Sequence, residues 1–143
     1  MITVRQLLQA KGRDVWSIAP DAWVFDALKL MAEKGIGALL VLEGETLVGI
    51  LSERDYARKV ILKDKSPMDT PVKEIMTQQV VTVSPEQSIQ ECMGLMTNKR
   101  VRHLPVLEDD RLAGIISIGD VVKAIISQQE FMIEQLERYI EGG

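Results

Sequence analysis

Two seven-residue segments of this chain place a hydroxyl and a carboxylate at one spacing. They are Gly49-Ile50-Leu51-Ser52-Glu53-Arg54-Asp55 and Gly114-Ile115-Ile116-Ser117-Ile118-Gly119-Asp120. In each, apolar residues lead to a serine and an aspartate follows three residues on, which reads as a strand running into a helix. A serine at a helix start stands where free N–H groups and the positive dipole end favour an anion. Its hydroxyl can cap the helix and still donate to a phosphate. An aspartate at the third helical position can accept two hydrogen bonds, and a ribose diol offers two donors. The same pair has a plainer reading, since Ser followed by an acid three residues on is a capping-box start found in helices without ligands. Gly49 and Gly114 permit close backbone approach or unusual dihedrals.

Cationic groups sit unevenly around the two segments. Arg102 and His103, with Lys99 and Arg100 before them, precede the second, whereas Gly37 and Ala38 hold the places of Arg102 and His103 ahead of the first. Arg54, inside the first segment, faces Gly119 at the matching place in the second. A planar guanidinium suits phosphate. His103 and Cys92 are the only residues of their kinds. Neither metal-ligand spacing, nor a nucleophile with its base, nor a GxxxxGK[ST] loop is found. Catalysis is therefore not expected, and neither a catalytic cofactor nor a metal. Arg54, Arg58, Lys59, Lys63 and Lys65 could form an exposed basic face, and Glu108-Asp109-Asp110 reads as a solvated turn.

The elements that position these residues follow from a duplication. Displaced by 65 residues, Val15–Ile61 falls on Val80–Ile126 without a gap, with 15 of 47 positions identical. Chance would give about two or three. Each copy opens with a short apolar strand, Val15–Ile18 or Val80–Val83. Ala19-Pro20 or Ser84-Pro85 ends it, with the proline expected at the first position of the next helix and Ser84 as its cap. Apolar residues at helical spacing come next: Val24, Ala27, Leu28, Met31 and Ile89, Cys92, Met93, Met96. Two strands joined by a turn follow, and a closing helix begins after Ser52 or Ser117. Met31, Met76, Met93 and Met96 are read as core fillers, Trp23 as packing, and Trp16 as either core or a stacking platform.

The fold class expected is α+β: two pseudo-symmetric β-α-β-β-α repeats packed sheet to sheet, since one such unit alone buries too little. Residues 1–62 would form the first repeat with its lead (Val4–Leu8), 63–71 a polar linker, and 72–143 the second repeat with its lead (Val72–Met76). Val122, Ile125, Ile126, Ile133, Leu136 and Ile140 extend the last helix beyond the repeat, with a fraying Gly142-Gly143 end.

The chain has 143 residues, 46% of them apolar and 27% charged, and a formal net charge of −4. That balance predicts a globular protein and argues against nucleic-acid binding, which needs a clustered basic surface. One cysteine forms no intrachain disulfide, and Cys92 reads as a buried small residue. No apolar run approaches the roughly 20 residues of a membrane span. The N-terminus lacks the form of a signal peptide, so the cytoplasm is the expected compartment.

With both heptads in an ungapped duplication, and Arg102-His103-Leu104-Pro105-Val106 before the second, the sequence resembles the tandem CBS-domain proteins, whose pair is often called a Bateman module. The resemblance covers nearly the whole chain. It implies two clefts, each drawing on both repeats, for adenosine derivatives such as AMP, ADP, ATP, S-adenosylmethionine or NAD(H). Carried onto this chain, site A comprises Asp14, Val15, Trp16, Ile36, Gly37, Ala38, Arg102, His103, Ile115, Ser117, Gly119 and Asp120. Site B comprises Ile50, Ser52, Arg54, Asp55, Gln79, Val80, Val81, Val101 and Arg102. The expected function is that of a regulatory ligand sensor acting on a separate protein, as a homodimer joined through helices. The alternative is a protein-interaction or dimerisation module whose clefts bind nothing.

Overall fold

The computed structural model describes residues 2–142; Gly143, placed above at a fraying end, lies outside them. The chain forms two compact units, residues 14–81 and residues 2–13 with 82–142. This partition in space differs from the order of the duplicated sequence. Each lead packs with the repeat that is not next to it in the chain.

In the 14–81 unit, β1 (Ser17–Ile18) pairs parallel to β2 (Ala38–Glu43), which pairs antiparallel to β3 (Thr46–Ser52). The amphipathic helix α2 (Val24–Lys34) buries Val24, Ala27 and Met31. They meet Leu39, Val41 and Leu51 of the sheet, Val60, and Val72 and Ile75 of the lead in one core. A short helix α3 (Glu53–Lys59) follows β3, and the lead of the second repeat is a single turn, α4 (Val72–Ile75). The other unit holds α1 (Val4–Lys11), α5 (Ile89–Lys99), the hairpin β4 (His103–Glu108) and β5 (Arg111–Ser117), and the 24-residue α6 (Ile118–Glu141). Val4, Leu8, Ile89, Cys92, Leu104, Val106, Ile116 and Val121 of this unit are fully buried.

The duplication is visible down to individual hydrogen bonds. Val4 N–H donates to the Gln87 carbonyl at 2.8 Å and Arg5 N–H to that of Pro85 at 2.9 Å. At the matching places Val72 N–H donates to Ala22 at 2.8 Å and Lys73 N–H to Pro20 at 2.9 Å. Side chains repeat the pattern: Arg5 pairs with Glu86 and Lys73 with Asp21. A register shift stands between Val41 and Leu42 in one hairpin and between Val106 and Leu107 in the other.

Two local expectations are corrected. The helices do not start at the prolines. Pro20 and Pro85 occupy the second position of β-turns closed by Ala22 N–H to Ala19 O (3.2 Å) and Gln87 N–H to Ser84 O (3.2 Å), a place where the fixed proline φ fits. Helix α5 begins four residues later, capped by Ser88 in a capping box with Glu91, and α2 begins after Trp23 without a side-chain cap. Second, no strand forms over Val80–Val83; only Val83 bridges, in parallel, to Val106. In the first repeat Leu40 N–H donates to the Trp16 carbonyl at 3.3 Å. Pro105 stands at the matching place in β4 and has no N–H to give. The segment 63–71, read as the linker, also bonds to α2. Thr70 is buried, and the carbonyls of Thr70 and Pro67 accept from the N–H groups of Val24 (2.9 Å) and Phe25 (3.0 Å), two of the unsatisfied donors at the start of α2.

Candidate functional site

Each heptad folds as its spacing predicts. Ser52 is the N-cap of α3 and Ser117 of α6; both have extended backbone dihedrals, and both form a full capping box with the aspartate three residues on. Strand pairing decides what surrounds each serine. His103 pairs with Ser117 across the β4–β5 ladder, and Ile118 N–H donates to the Arg102 carbonyl at 2.9 Å. One unit thus brings Arg102, His103, Ile115, Ser117, Gly119 and Asp120 together. In the other, Ala38 pairs with Ser52 and Glu53 N–H donates to the Gly37 carbonyl at 3.0 Å, so Ile36–Ala38 adjoin Ser52, Arg54 and Asp55.

The two aspartates differ in the partners that hold them. Asp55 Oδ2 accepts from Ser52 N–H at 3.0 Å and from the Ser52 hydroxyl at 3.1 Å. Its Oδ1 accepts from the Thr77 hydroxyl at 3.2 Å and lies 3.2 Å from Lys59 Nζ. Asp120 Oδ2 accepts from Ser117 N–H at 2.8 Å and from Lys11 Nζ. Burial pushes the Asp120 carboxyl upward, but the Lys11 ammonium and the Ser117 N–H outweigh it and hold the group below its ordinary value. A Cβ built on Gly119 would meet only the Ser117 hydroxyl, at 3.6 Å, so the space beside that cap is open. Helix length adds to the difference, since α6 has 24 residues and α3 only 7.

The heptad glycines serve packing against the exchanged leads. Neither has a positive φ. A Cβ at Gly114 would lie 2.8 Å from Leu8 Cδ2, and one at Gly49 2.6 Å from Met76 Sδ and 3.0 Å from the Thr77 carbonyl oxygen. Of the two sequence readings, close approach holds and unusual dihedrals do not, but that the leads are what approaches was not read. The lead's own apolar pattern, Leu7-Leu8 and Ile75-Met76, was the only local sign of that approach.

The remaining site residues divide between the units. Asp14 is exposed, Val15 half-buried and Trp16 exposed, and Lys34 Nζ sits 4.2 Å from the centroid of a Trp16 ring. That excludes the core role for Trp16 and leaves a platform with a cation already stacked on it. Trp23 is 47% exposed and so is not packing in the core. Gln79 is exposed, while Val80, Val81 and Val101 are half-buried. Arg54 and Arg102 are exposed and His103 is half-buried. In the basic face, Lys59 is committed to Asp55 and to the Ile75 carbonyl at 3.0 Å. Glu108, read as part of a solvated turn, instead accepts from Arg5, which lowers its carboxyl below the usual range. Cys92 is buried and its thiol is pushed up to about 11 by burial. Among the described residues no group of three or more His, Cys, Asp or Glu is placed to hold a metal.

Comparison with known proteins adds to this geometry. The family model described as CBS domain matches residues 4–62 and 72–127. A mitochondrial CBS domain-containing protein of Arabidopsis thaliana is 38% identical over 99% of this chain and 73% of its own length. The structure of a CBS-domain protein from Burkholderia ambifaria, 55% identical, superposes with a TM-score of 0.87 over 89% of this chain and 96% of that one. A hexameric CBS-CP12 protein from bloom-forming cyanobacteria is 31% identical, with a TM-score of 0.76 over 85% of this chain and 66% of that one.

Proposed function

The chain belongs to the CBS-domain family as a tandem pair, and we propose that it is a non-catalytic regulatory module that binds an adenosine-containing nucleotide of the AMP, ADP, ATP or NAD(H) type. The observation that carries this reading is the Ser117 cap. It opens the 24-residue α6 beside Arg102 and His103, with open space at Gly119. A helix N-terminus flanked by cationic side chains suits phosphate. Asp120 takes the ribose.

The first heptad is the weaker site, because Ser52, Thr77 and Lys59 already satisfy Asp55. A ligand there relies on Arg54, with Gln79, Val80 and Val81. Ligand affects a separate regulated protein by favouring one of two states for which it has different affinity, and the module works as a homodimer joined through helices. No described helix is long and apolar enough to cross a membrane, and the cytoplasm is the compartment proposed.

The competing reading, an interaction module with unused clefts, draws on the same capping boxes, which account for both serines and both aspartates without a ligand. A substitution separates the two. Asp is as good an N-cap as Ser, but its carboxylate repels phosphate. Thermal unfolding is followed with AMP, ADP, ATP, NADH and guanine nucleotides. One adenine nucleotide at about 100 times its dissociation constant adds about 2.7 kcal/mol. Ser117→Asp keeps the stability of the unliganded protein and loses that rise. If no nucleotide raises the midpoint, the interaction module replaces this reading.

A further inference from the structure

Only Val121 of α6 is buried. The apolar side chains beyond it form a stripe: Val122, Ile126, Ile133, Leu136 and Ile140 are between 40% and 77% exposed. Their spacing is a heptad, with Ile126, Ile133 and Ile140 at one seam position and Val122, Gln129 and Leu136 at the other. Ile125, Met132 and Tyr139 widen the stripe along one flank. Lys123, Glu130 and Glu137 line the other, with the cation near the helix start and the anions toward its end. The i,i+4 ion pair of Glu134 with Arg138 lies outside the seam.

We propose that this face pairs with the same face of a second copy of the chain, the two α6 helices running antiparallel. The charges select the direction. In a parallel pair each charged flank would meet the partner's apolar flank, burying charge against Ile125, Met132 and Tyr139 without compensation. Reversing one helix sets apolar flank on apolar flank and charged flank on charged flank. With Ile126 opposite the partner's Leu136, Ile140 stands opposite the partner's Val122. Lys123 then stands opposite the partner's Glu137, twice by symmetry. Gln129 and the partner's Ile133 form the central layers, where a polar residue in the seam fixes register. Glu130 meets the partner's Glu130 near the two-fold axis, a like-charge contact that no parallel arrangement makes. Phe131 points away from the seam and takes no part.

The proposal rests on the homodimer reading for its occupant and is independent of nucleotide binding. Its test uses two single variants of the full chain, Ile126→Cys and Leu136→Cys, oxidised separately and after mixing, with sedimentation and thermal unfolding as controls. The buried Cys92 is common to both. A disulfide-linked dimer in the mixture alone supports the antiparallel seam. Linkage within each variant alone means a parallel pair and overturns it. A dimer that never links has its interface elsewhere, so the seam is wrong while the homodimer stands; a monomer removes both. Lys123→Glu is expected to weaken self-association about tenfold. Adding Glu137→Lys restores it, and Glu130→Gln strengthens it. A double variant as weak as the single would also count against the pairing.

Discussion

Lys11 donates its ammonium hydrogen to Oδ2 of Asp120, 109 residues further along the chain. The same ammonium bonds the Ile115 carbonyl at 2.9 Å. The end of the N-terminal lead is thereby tied both to the last strand and to the third residue of α6, at the carboxylate proposed to take ribose. A ligand reaching Asp120 must share that carboxylate with α1, so occupancy of the site and the hold on the lead are linked within one unit.

The tie predicts a pH signature. The Asp120 carboxyl is held below its ordinary value. Its contribution to stability is therefore complete above the unfolded value, about pH 4, and is lost as pH falls through the lower folded value. Lys11→Met should cost about 1 kcal/mol at neutral pH, the upper range for a pair this exposed. The gap between variant and parent should close on acidification below about pH 4. Urea unfolding across that range checks it. A gap that does not change with pH would mean that Lys11 contributes through its methylenes and not through its charge.

The two heptad glycines predict unequal outcomes. Gly114→Ala drives a methyl against Leu8, which is fully buried, and should cost about 1–3 kcal/mol. Leu8→Ala alone should cost about 2–5 kcal/mol. Together they should cost clearly less than their sum, because the cavity left by one receives the methyl of the other. At Gly49 the added methyl would also meet the Thr77 carbonyl oxygen at 3.0 Å. That oxygen is fixed by Ile50 N–H at 3.0 Å, so Met76→Ala should rescue Gly49→Ala poorly. Denaturation of the four single and two double variants measures both cycles. Additivity at Gly114 would show that lead and strand do not press on each other there.

Much of this fold is legible in the sequence because it is local. The β2–β3 and β4–β5 hairpins, the helical faces led by Val24 and Ile89, and the Ser-to-Asp capping geometry each depend on residues within a few positions of one another. Ser88 with Glu91 carried an equally local sign of where α5 begins, but Pro85 points to an earlier start, and the turn wins because Pro fits its second position as well as a first helical turn. The missing strand at Val80–Val83 turns on one donor absent from Pro105, a residue more than twenty positions away. The exchange of leads is less local still. Nothing in Val4–Leu8 says that its carbonyl partners are Pro85 and Gln87, because both leads have the same apolar pattern and only packing distinguishes the two docking places. Of the candidate site, the grouping of Arg102 and His103 with Ser117 follows from hairpin register, which the sequence does supply. The saturation of Asp55 by Thr77 and Lys59 depends on side-chain placement that no spacing rule reaches.

Arg100 yields the last prediction. It closes α5 in the left-handed region with φ 56, where Gly35 closes α2 with φ 64. An L side chain pays about 1–2 kcal/mol there that glycine does not. Arg100→Gly should therefore stabilise the unliganded protein by about 1 kcal/mol, and Arg100→Ala should not. A residue kept in a strained conformation invites a reason beyond stability, and charge is one such reason, since Arg100 belongs with Lys99 and Arg102 in the basic run before the Ser117 site. If that charge serves phosphate, Arg100→Gly should show a higher unliganded midpoint and a smaller rise with the phosphorylated nucleotide, while its response to unphosphorylated adenosine stays as in the parent. Thermal unfolding of the three proteins with and without ligand separates the two effects. An Arg100→Gly protein that is more stable and responds to nucleotide like its parent would remove Arg100 from phosphate recognition and leave the Arg102 and His103 pair to supply it.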